Sequence, residues 1–417
     1  MGAALLVAGN GLLGTLVAVD LASRGVAPEL TGLVMGAYFV GFGVGSFQGG
    51  RVMARVGPIR AFAAFGAALA ASCLAIALTA SPLAWLALRL LGGACVAGFF
   101  LVVESWLHAV ASPEARGRVL AVYMITLYLA LAGGQAAFAL RDALGAGAAP
   151  FAACGLLITL AVVPVAVTSQ TAPEIANAAT GSLRAVLARC PLGLASGLVG
   201  GLLAGAFYGM GPVFAETTAL PVGGVATFMS VAILGALALQ APIGRLSDLV
   251  DRRLVLAAAA FGVAAVSMAL PLVAPRWPSL ALALVALFGA AALTIYPLGL
   301  AHLYDRLDRH AALGGLRTLL LAYAVGSSLG PGLAALCMRM LGSEGLFAFS
   351  GVASIALAGY AAWRVRRVEP VPVEEQESFV LAPRSTHVLG ELDPRAGPVP
   401  ADPAPAEAEP GREAGPA

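Results

Sequence analysis

Residues 86–106 read LALRLLGGACVAGFFLVVESW, a run of 21 residues in which only Arg89 and Glu104 carry charge. An α-helix rises about 1.5 Å per residue, so this run is about 30 Å long, the thickness of the hydrocarbon core of a bilayer. We therefore predict a membrane-spanning helix with one charge towards each end.

Similar apolar runs fill most of the chain. Of its 417 residues, 60% are hydrophobic and only 11% are charged, and the mean hydropathy is +0.91. A soluble domain of this size would need a charged surface that these residues cannot supply. The first run follows Met1 directly and has no basic segment before it, so we interpret it as a retained helix and not as a cleaved signal. The sequence predicts an all-α polytopic membrane protein.

Glycine, proline and charge clusters divide the chain into twelve apolar runs. They are predicted at 3–21, 31–50, 60–79, 83–107, 118–140, 149–168, 191–214, 223–244, 253–273, 279–303, 313–338 and 344–363. The longest polar interruption follows the sixth run and is predicted to link two halves. After residue 367 the composition changes to proline, glutamate and alanine, which cannot bury a core, so this tail is predicted to be disordered.

The arginines predict the orientation. If the N-terminus lies in the cytoplasm, sixteen arginines fall on the inner loops and helix ends and only four on the outer side. Basic residues are enriched on the cytoplasmic side of membrane proteins. We expect a multi-pass protein of a bacterial inner membrane with both termini cytoplasmic.

The two halves carry related loops. Residues 49–60 read GGRVMARVGPIR and residues 242–253 read PIGRLSDLVDRR, so Gly50 and Gly244 begin similar patterns 194 residues apart. A shift of 194 residues aligns the fourth apolar run with the tenth and the fifth with the eleventh. Two parallel repeats of six helices are typical of transporters that expose a midplane site alternately to the two sides.

These loops resemble the signature of the major facilitator superfamily, G-x-x-x-D-R-x-G-R-R/K, which lies after helix 2 and recurs after helix 8. The first copy has Ala54 in place of the aspartate, and the second has Asp251 in place of the second glycine. Residues VVESW (102–106) and LLLAYAVGSSLGP (319–331) resemble the YcaD-like subgroup. The resemblance implies twelve transmembrane helices in two pseudo-symmetric six-helix bundles. The predicted divisions are an N-terminal bundle at 1–168, a cytoplasmic linker at 169–190, a C-terminal bundle at 191–366 and the tail at 367–417.

The two charges of the opening stretch lie on similar faces of a helix, because fifteen residues at about 100° each come within about 60° of whole turns. A charge facing lipid costs on the order of 2.5–3.5 kcal/mol, so Arg89 is expected to face an aqueous cavity. By the resemblance, helices 1, 4, 7 and 10 line that cavity, with 5 and 11 beside them. The predicted cavity residues are Arg89, Asn10, Phe99, Tyr128, Tyr208, Tyr296 and Tyr323.

A second set of charges is predicted to form a gate at the cytoplasmic end. Asp248 is expected to approach the start of helix 5 when that end closes, whereas Ala54 cannot do the same in the first repeat. Glu104 is expected to pair with Arg116 or Arg118, and the alternative is that it carries a coupled proton. The predicted gating and coupling residues are Glu104, Arg116, Arg118, Arg245, Asp248, Arg252, Arg253, Arg51 and Arg55.

Enzymatic patterns are lacking in the sequence. The four histidines and five cysteines have no metal-ligand spacing, and a chain without lysine has no Walker lysine. We therefore expect no enzyme activity, cofactor, metal or nucleic-acid partner. The expected function is secondary transport of a small organic solute by a monomer in the bilayer, with protons as a candidate coupling ion. Export of an amphipathic metabolite or drug is the first interpretation. Uptake of a small organic anion is the second, and a non-transporting receptor or lipid-handling scaffold is a third of another class.

Overall fold

The computed structural model describes residues 1–112, 114–145, 147–166, 183–218 and 224–381. Within these ranges the chain forms twelve long helices. They are α1 (Gly2–Ser23), α2 (Pro28–Val56), α3 (Pro58–Leu78), α4 (Pro82–Val110), α5 (Arg116–Ala136), α6 (Ala149–Ala166), α7 (Pro191–Thr217), α8 (Gly224–Leu249), α9 (Arg252–Val273), α10 (Pro278–Arg306), α11 (Arg309–Leu341) and α12 (Gly345–Arg367). The all-α fold with twelve helices agrees with the sequence prediction.

Eleven of these segments are long and apolar enough to cross a membrane, and α6 contributes a shorter apolar helix, Ala149–Val165. Six helices have a proline in the first turn: α2, α3, α4, α6, α7 and α10. Proline suits this position because its missing N–H would have no partner there. The structural helices extend beyond several predicted ends; α2 continues to Val56, because arginines end a membrane span without ending a helix.

The helix contacts fall into two matching sets. In the N-terminal half α1 packs on α5 and α6, α2 on α4, and α3 on α4 and α6; the C-terminal half repeats this with α7 on α11 and α12, α8 on α10, and α9 on α10 and α12. The two six-helix bundles meet mainly where α2 packs on α11 and α5 on α8, and α1 also contacts α7. The pseudo-symmetric arrangement of the major facilitator fold is thus present.

Glycines allow the closest helix pairs within each bundle. A Cβ at Gly41 would lie 1.9 Å from the Leu90 carbonyl oxygen, and one at Gly93 would lie 1.9 Å from the Tyr38 carbonyl oxygen. The matching positions in the other bundle are Gly235 against Ala286 and Gly289 against Ala232. Backbones this close exclude any side chain, so α2–α4 and α8–α10 are packed through their main chains.

The helices alternate in direction, so the arginines of the two repeats gather at one end of the molecule. We call this the arginine-rich end; α2, α4, α8, α10 and α12 end there, and α3, α5, α9 and α11 begin there. The end of the molecule where α3, α5, α9 and α11 finish is called the opposite end.

The segment after α12 differs from the predicted disordered tail. Residues 368–381 run along the arginine-rich end and include one short 3-10 turn, Val373–Glu375. Their backbone is ordered because charged side chains of the C-terminal bundle bind its N–H and C=O groups, as with Arg253 and the Val368 oxygen at 2.7 Å. Residues 382–417 of the predicted tail lie outside the described residues, as does most of the predicted linker, of which the helix Leu183–Arg189 is described.

Candidate functional site

A cavity of about 200 Å³ lies between the bundles, beside the middle of α1 and the last turns of α5. Four of the five contributing helices belong to the N-terminal bundle: α1, α2, α4 and α5. The C-terminal bundle contributes Tyr208 of α7. The lining residues are Leu6, Val7, Asn10, Gly11, Gly14, Thr15, Met35, Tyr38, Phe39, Arg89, Val96, Phe100, Leu131, Gln135 and Tyr208. The wall is mostly apolar, with a few polar groups that converge on it.

Arg89 is the charged group of this cavity. Its side chain is 4% exposed, and its guanidinium carbon lies 4.5 Å from the centre of the Tyr38 ring. Among the described residues no carboxylate pairs with it, and its Nε atom is buried without a hydrogen-bond partner. The ring face offsets part of the cost of burying the cation, but it provides no acceptor for the guanidinium N–H groups.

Polar side chains surround this guanidinium. The Asn10 amide donates to the Tyr38 hydroxyl at 3.0 Å, while its Oδ1 atom is buried without a partner. The Thr15 hydroxyl donates to Gln135 Oε1, and the Gln135 amide donates to the Gly11 carbonyl at 3.3 Å. The cavity therefore holds a cation, one unfilled acceptor and a set of neutral dipoles.

Three of the seven predicted cavity residues line the cavity, namely Asn10, Arg89 and Tyr208. Phe99 does not line this cavity: it is fully buried, with its ring centre 4.2 Å from that of Phe62. Its neighbour Phe100 lines the cavity, because consecutive residues of a helix point about 100° apart.

The other three predicted aromatic residues also lie elsewhere. Tyr296 and Tyr323 pack edge to face with their ring centres 5.0 Å apart, and Tyr128 belongs to an apolar cluster between α5 and α8. All three tyrosines pack against neighbouring side chains, as most tyrosines in a helix bundle do.

Sequence reasoning did not place Thr15 or Tyr38 in the cavity. Thr15 could have been found, since it follows Asn10, Gly11 and Gly14 on neighbouring positions of the α1 face. Tyr38 has no such signal, because one tyrosine among the glycines and phenylalanines of residues 36–43 resembles any packing residue.

Glu104 lies on the same helix as Arg89, about 22 Å further towards the arginine-rich end. Its side chain is fully buried, and its Oε1 atom accepts a hydrogen bond from the Tyr123 hydroxyl at 3.2 Å. Tyr123 belongs to α5, so this carboxylate joins α4 to α5 inside the N-terminal bundle. Arg118, one of its two predicted partners, is exposed, and Arg116 begins α5 with its Nε atom buried and unbonded.

The second loop repeat forms a buried ion network in the C-terminal bundle. Arg252 is 1% exposed, and its Nη1 atom donates to both oxygens of Asp305 at 2.9 and 2.8 Å. Its Nη2 atom donates to Asp248 at 2.7 Å. Asp305 was not among the predicted residues; it lies on α10, 53 residues from Arg252 in sequence.

A second ion pair is formed by the residues on either side of Arg252. Arg253 donates to Asp251 at 2.7 Å, and the Asp251 carboxylate also accepts from the Arg253 backbone N–H, so it caps the start of α9. Burial disfavours the charge on Asp251, but the hydrogen bonds and the positive charge of Arg253 outweigh this and lower its pKa. Arg245 points to another surface, a groove between α8 and α5.

Among the residues that the structure describes, the first loop repeat builds no such network. Arg51 and Arg55 are exposed, and Arg51 donates to Gln48, one turn away, at 3.1 Å. Gly57 precedes α3 with a φ of +84°, a conformation that favours glycine, and takes the place that Asp251 has before α9.

At the opposite end two ion pairs join the bundles directly. Arg339 of α11 contacts Glu29 of α2 at 2.5 Å, and Arg141 contacts Glu216 of α7 at 3.1 Å. The partners of the first pair are 310 residues apart in sequence. In this structure the opposite end is therefore the closed end.

Comparison with known proteins agrees with this architecture. The family description Major Facilitator Superfamily matches residues 1–232 and 192–399. Proteins named "uncharacterized MFS-type transporter YcaD" from Shigella flexneri and from Escherichia coli O139:H28 are 30% identical over 348 residues, which cover 83% of this chain and 89% of each relative.

Solved transporter structures share the fold at low sequence identity. The nucleoside transporter NupG superposes with a TM-score of 0.70 at 13% identity, covering 87% of this chain and 98% of NupG. A bacterial homologue of the lysosomal transporter Spinster, in an inward-facing conformation, gives 0.69 at 14% identity and covers 90% and 96%. A D-xylose–proton symporter gives 0.64 at 14% identity and covers 89% and 97%.

Proposed function

The chain belongs to the major facilitator superfamily and is a multi-pass membrane transporter, and we propose that its substrate is a small amphipathic organic anion. The observation that carries this proposal is the unpaired guanidinium of Arg89 in a cavity with mostly apolar walls. This combines the two interpretations of the sequence, an amphipathic solute and an organic acid.

The charge argument is one of compensation. Burying a cation without a counter-ion costs several kcal/mol, which a protein offsets with a partner carboxylate or recovers when a ligand supplies the anion. Among the described residues Arg89 lacks such a carboxylate. A guanidinium also binds a carboxylate through two parallel hydrogen bonds. A monoanionic carboxylate therefore fits this site best.

The size and the walls of the cavity limit the part of the substrate that lies beyond its carboxylate. An apolar cavity of about 150 Å³ is known to hold benzene, so about 200 Å³ accommodates a single ring or a short branched chain that carries the carboxylate. Phe39, Phe100 and Tyr208 supply aromatic surfaces for that apolar part.

The proposed orientation places the arginine-rich end in the cytoplasm of a bacterial inner membrane. With the opposite end joined by two ion pairs, this conformation is open towards the cytoplasmic side, where a solute for export would bind. Export is the direction that we propose. Glu104 is proposed to act as a gate residue, since its hydrogen bond with Tyr123 ties α4 to the start of α5.

The test is a thermal-stability screen of the purified protein with matched pairs of ligands. Single-ring carboxylates are compared with their neutral amides, since a ligand that binds only the folded state raises the melting temperature. We expect the anions and not the amides to stabilise the protein, and Arg89→Gln to remove the effect. Arg276→Gln, an exposed arginine of the opposite end, is the matched control and should keep it.

Two outcomes would contradict the proposal. Equal stabilisation by the amide and the acid would show that the site does not select an anion. Stabilisation that persists in Arg89→Gln would show that the ligand binds somewhere other than Arg89. A stabilising anion is then loaded into proteoliposomes for counterflow exchange. Exchange supports transport, whereas binding without exchange would support the receptor or scaffold interpretation.

A further inference from the structure

Residues 368–381, which we call the strap, continue the chain beyond α12. Pro370 and Pro372 prevent the helix from continuing, because proline lacks the N–H of the helical hydrogen bond. The strap runs across the arginine-rich end and reaches the line where the two bundles meet. It is neither part of the cavity nor part of a transmembrane helix.

Charged side chains of the C-terminal bundle hold the strap by its carbonyl oxygens. Arg253 donates to the Val368 oxygen at 2.7 Å, and Arg252 donates to the Glu377 oxygen at 2.7 Å. Arg306 donates to the Glu369 oxygen at 2.6 Å. Hydrogen bonds with a charged partner are about twice as strong as neutral ones, so the strap is bound along its length.

Two carboxylates bind the N–H groups of the strap near its far end. Asp305 accepts from the Glu377 N–H at 3.0 Å, and Asp248 accepts from the Phe379 N–H at 2.9 and 3.0 Å. These are the same aspartates that pair with Arg252. The strap is therefore built into the ion network of the second loop repeat.

The last three residues of the strap, Phe379 to Leu381, form an apolar tip. The Phe379 ring lies against Gly244, where an added Cβ would be 2.0 Å from it. Val380 and Leu381 pack against the apolar cluster shared by α5 and α8. The tip also lines a groove with residues of both helices: Gly117, Leu120, Ala121, Ala241 and Arg245.

We propose that the strap is an autoinhibitory wedge that holds the arginine-rich end open. Closing this end requires α5 and α8 to approach each other, and the tip occupies the space between them. Asp248, the residue expected to reach the start of α5 on closure, is bound by the strap instead. The strap must therefore leave before a transport cycle can be completed, and this inference does not depend on the identity of the substrate.

The test measures the width of the arginine-rich end directly. Spin labels are placed at Ser112→Cys before α5 and Leu249→Cys at the end of α8, both exposed positions, in a Cys337→Ser background. The full chain should give one long distance. Removal of residues 368–417 should add a shorter distance and increase the closed population severalfold. Removal of residues 382–417 alone is the matched control and should leave the distance unchanged.

A point variant tests the wedge without altering the strap. Gly244→Ala places a methyl group against the Phe379 ring and should release the tip, giving the same shorter distance as the truncation. Gly262→Ala is the matched control, since a Cβ there meets no atom within 4 Å. Phe379→Ser should act like Gly244→Ala if the aromatic ring is what holds the tip.

The proposal is overturned if the full chain and the chain without residues 368–417 give the same distances. It is equally overturned if removal of residues 382–417 alone produces the shorter distance, because the effect then lies beyond the strap. If the truncated chain fails to fold, Gly244→Ala and Phe379→Ser decide, and unchanged distances in both would overturn the wedge.

Discussion

The two bundles share one fold but carry different chemistry. The N-terminal bundle provides fourteen of the fifteen residues around the cavity, including Arg89, whereas the C-terminal bundle contributes Tyr208. The C-terminal bundle instead holds the buried ions Arg252 and Asp305 and binds the strap. The pseudo-symmetry therefore extends to the backbone packing and not to the polar side chains. Under the two proposals above, one bundle would bind the substrate and the other would control access to it.

The strongest test of this division is Arg89→Ala. If the N-terminal bundle carries the binding charge, the variant should lose anion affinity by about 100-fold or more, because a charge-assisted pair in an apolar cavity is lost. Arg89→Lys should restore only part of it, since lysine lacks the planar fork. The measurement is calorimetric titration with the anion found in the ligand screen. Full affinity in Arg89→Ala would show that the binding charge lies elsewhere.

The matching test in the C-terminal bundle is Asp305→Asn. Arg252 would keep Asp248 but lose its two-oxygen contact with Asp305, leaving a buried cation only partly paired. We expect a loss of about 3 kcal/mol in the free energy of unfolding, typical of a broken buried ion pair, measured by thermal unfolding in detergent. Asp142→Asn, whose side chain is 91% exposed, is the control and should be neutral. A small loss in Asp305→Asn would mean that the network is less important for stability than its burial indicates.

The two bundles can also be compared at one matched position, the residue before α3 (Gly57) and the residue before α9 (Asp251). Asp251→Ala removes a side-chain cap, which alone costs about 1 kcal/mol. It also leaves the buried Arg253 without its carboxylate, so the total loss of stability should be larger. Gly57→Ala has free space for its methyl group, so its cost of about 1–3 kcal/mol would come from the positive-φ backbone alone. Equal unfolding curves for Gly57→Ala and the natural protein would show that the first repeat does not need its glycine.

The pH dependence of Asp251 has a definite sign. Its pKa is lowered in the folded protein, so its carboxylate stabilises the fold above the pKa of unfolded aspartate, and this contribution is lost as the pH falls through the lowered value. The stability difference between the natural protein and Asp251→Asn should therefore be present at neutral pH and shrink only in strong acid. A difference that instead disappears near neutral pH would contradict this assignment.

The smallest effect is expected where the bundles touch at the opposite end. Glu29→Gln and Glu216→Gln each remove one partly exposed ion pair, and such pairs contribute little. Each should increase the population open at that end by about twofold, and high salt should abolish the difference. Spin labels at Ala80→Cys and Arg276→Cys measure this opening, with Glu344→Gln as the control. A change of tenfold or more would mean that these pairs, and not the strap, determine which end is open.

The fold was predictable because its signals repeat. Twelve apolar runs and the matched loops at Gly50 and Gly244 determine the helix number and the two halves without any knowledge of side-chain contacts. Arg89 was predictable for a related reason, since a charge inside an apolar run has few stable positions other than a cavity.

The rest of the site depends on information that a sequence does not contain. Phe99 and Phe100 are chemically identical, and only the rotation of α4 decides which one lines the cavity. The pairing of Glu29 with Arg339 depends on how the bundles dock. The strap could not be predicted because the bundle binds it through backbone N–H and C=O groups. Almost every residue has these groups, so such binding leaves no pattern in the sequence.

The glycine contacts of α2 with α4 and of α8 with α10 have a mechanical consequence. Main chains in direct contact leave no layer of side chains that can repack, so these helix pairs cannot slide past one another without separating. Each bundle should therefore be stiff, and the deformation during a cycle should be concentrated where α5 faces α8 and α2 faces α11. Alanine at Gly41 or Gly235 should soften one bundle, and hydrogen exchange should then increase along both helices of that pair while the other bundle keeps its protection.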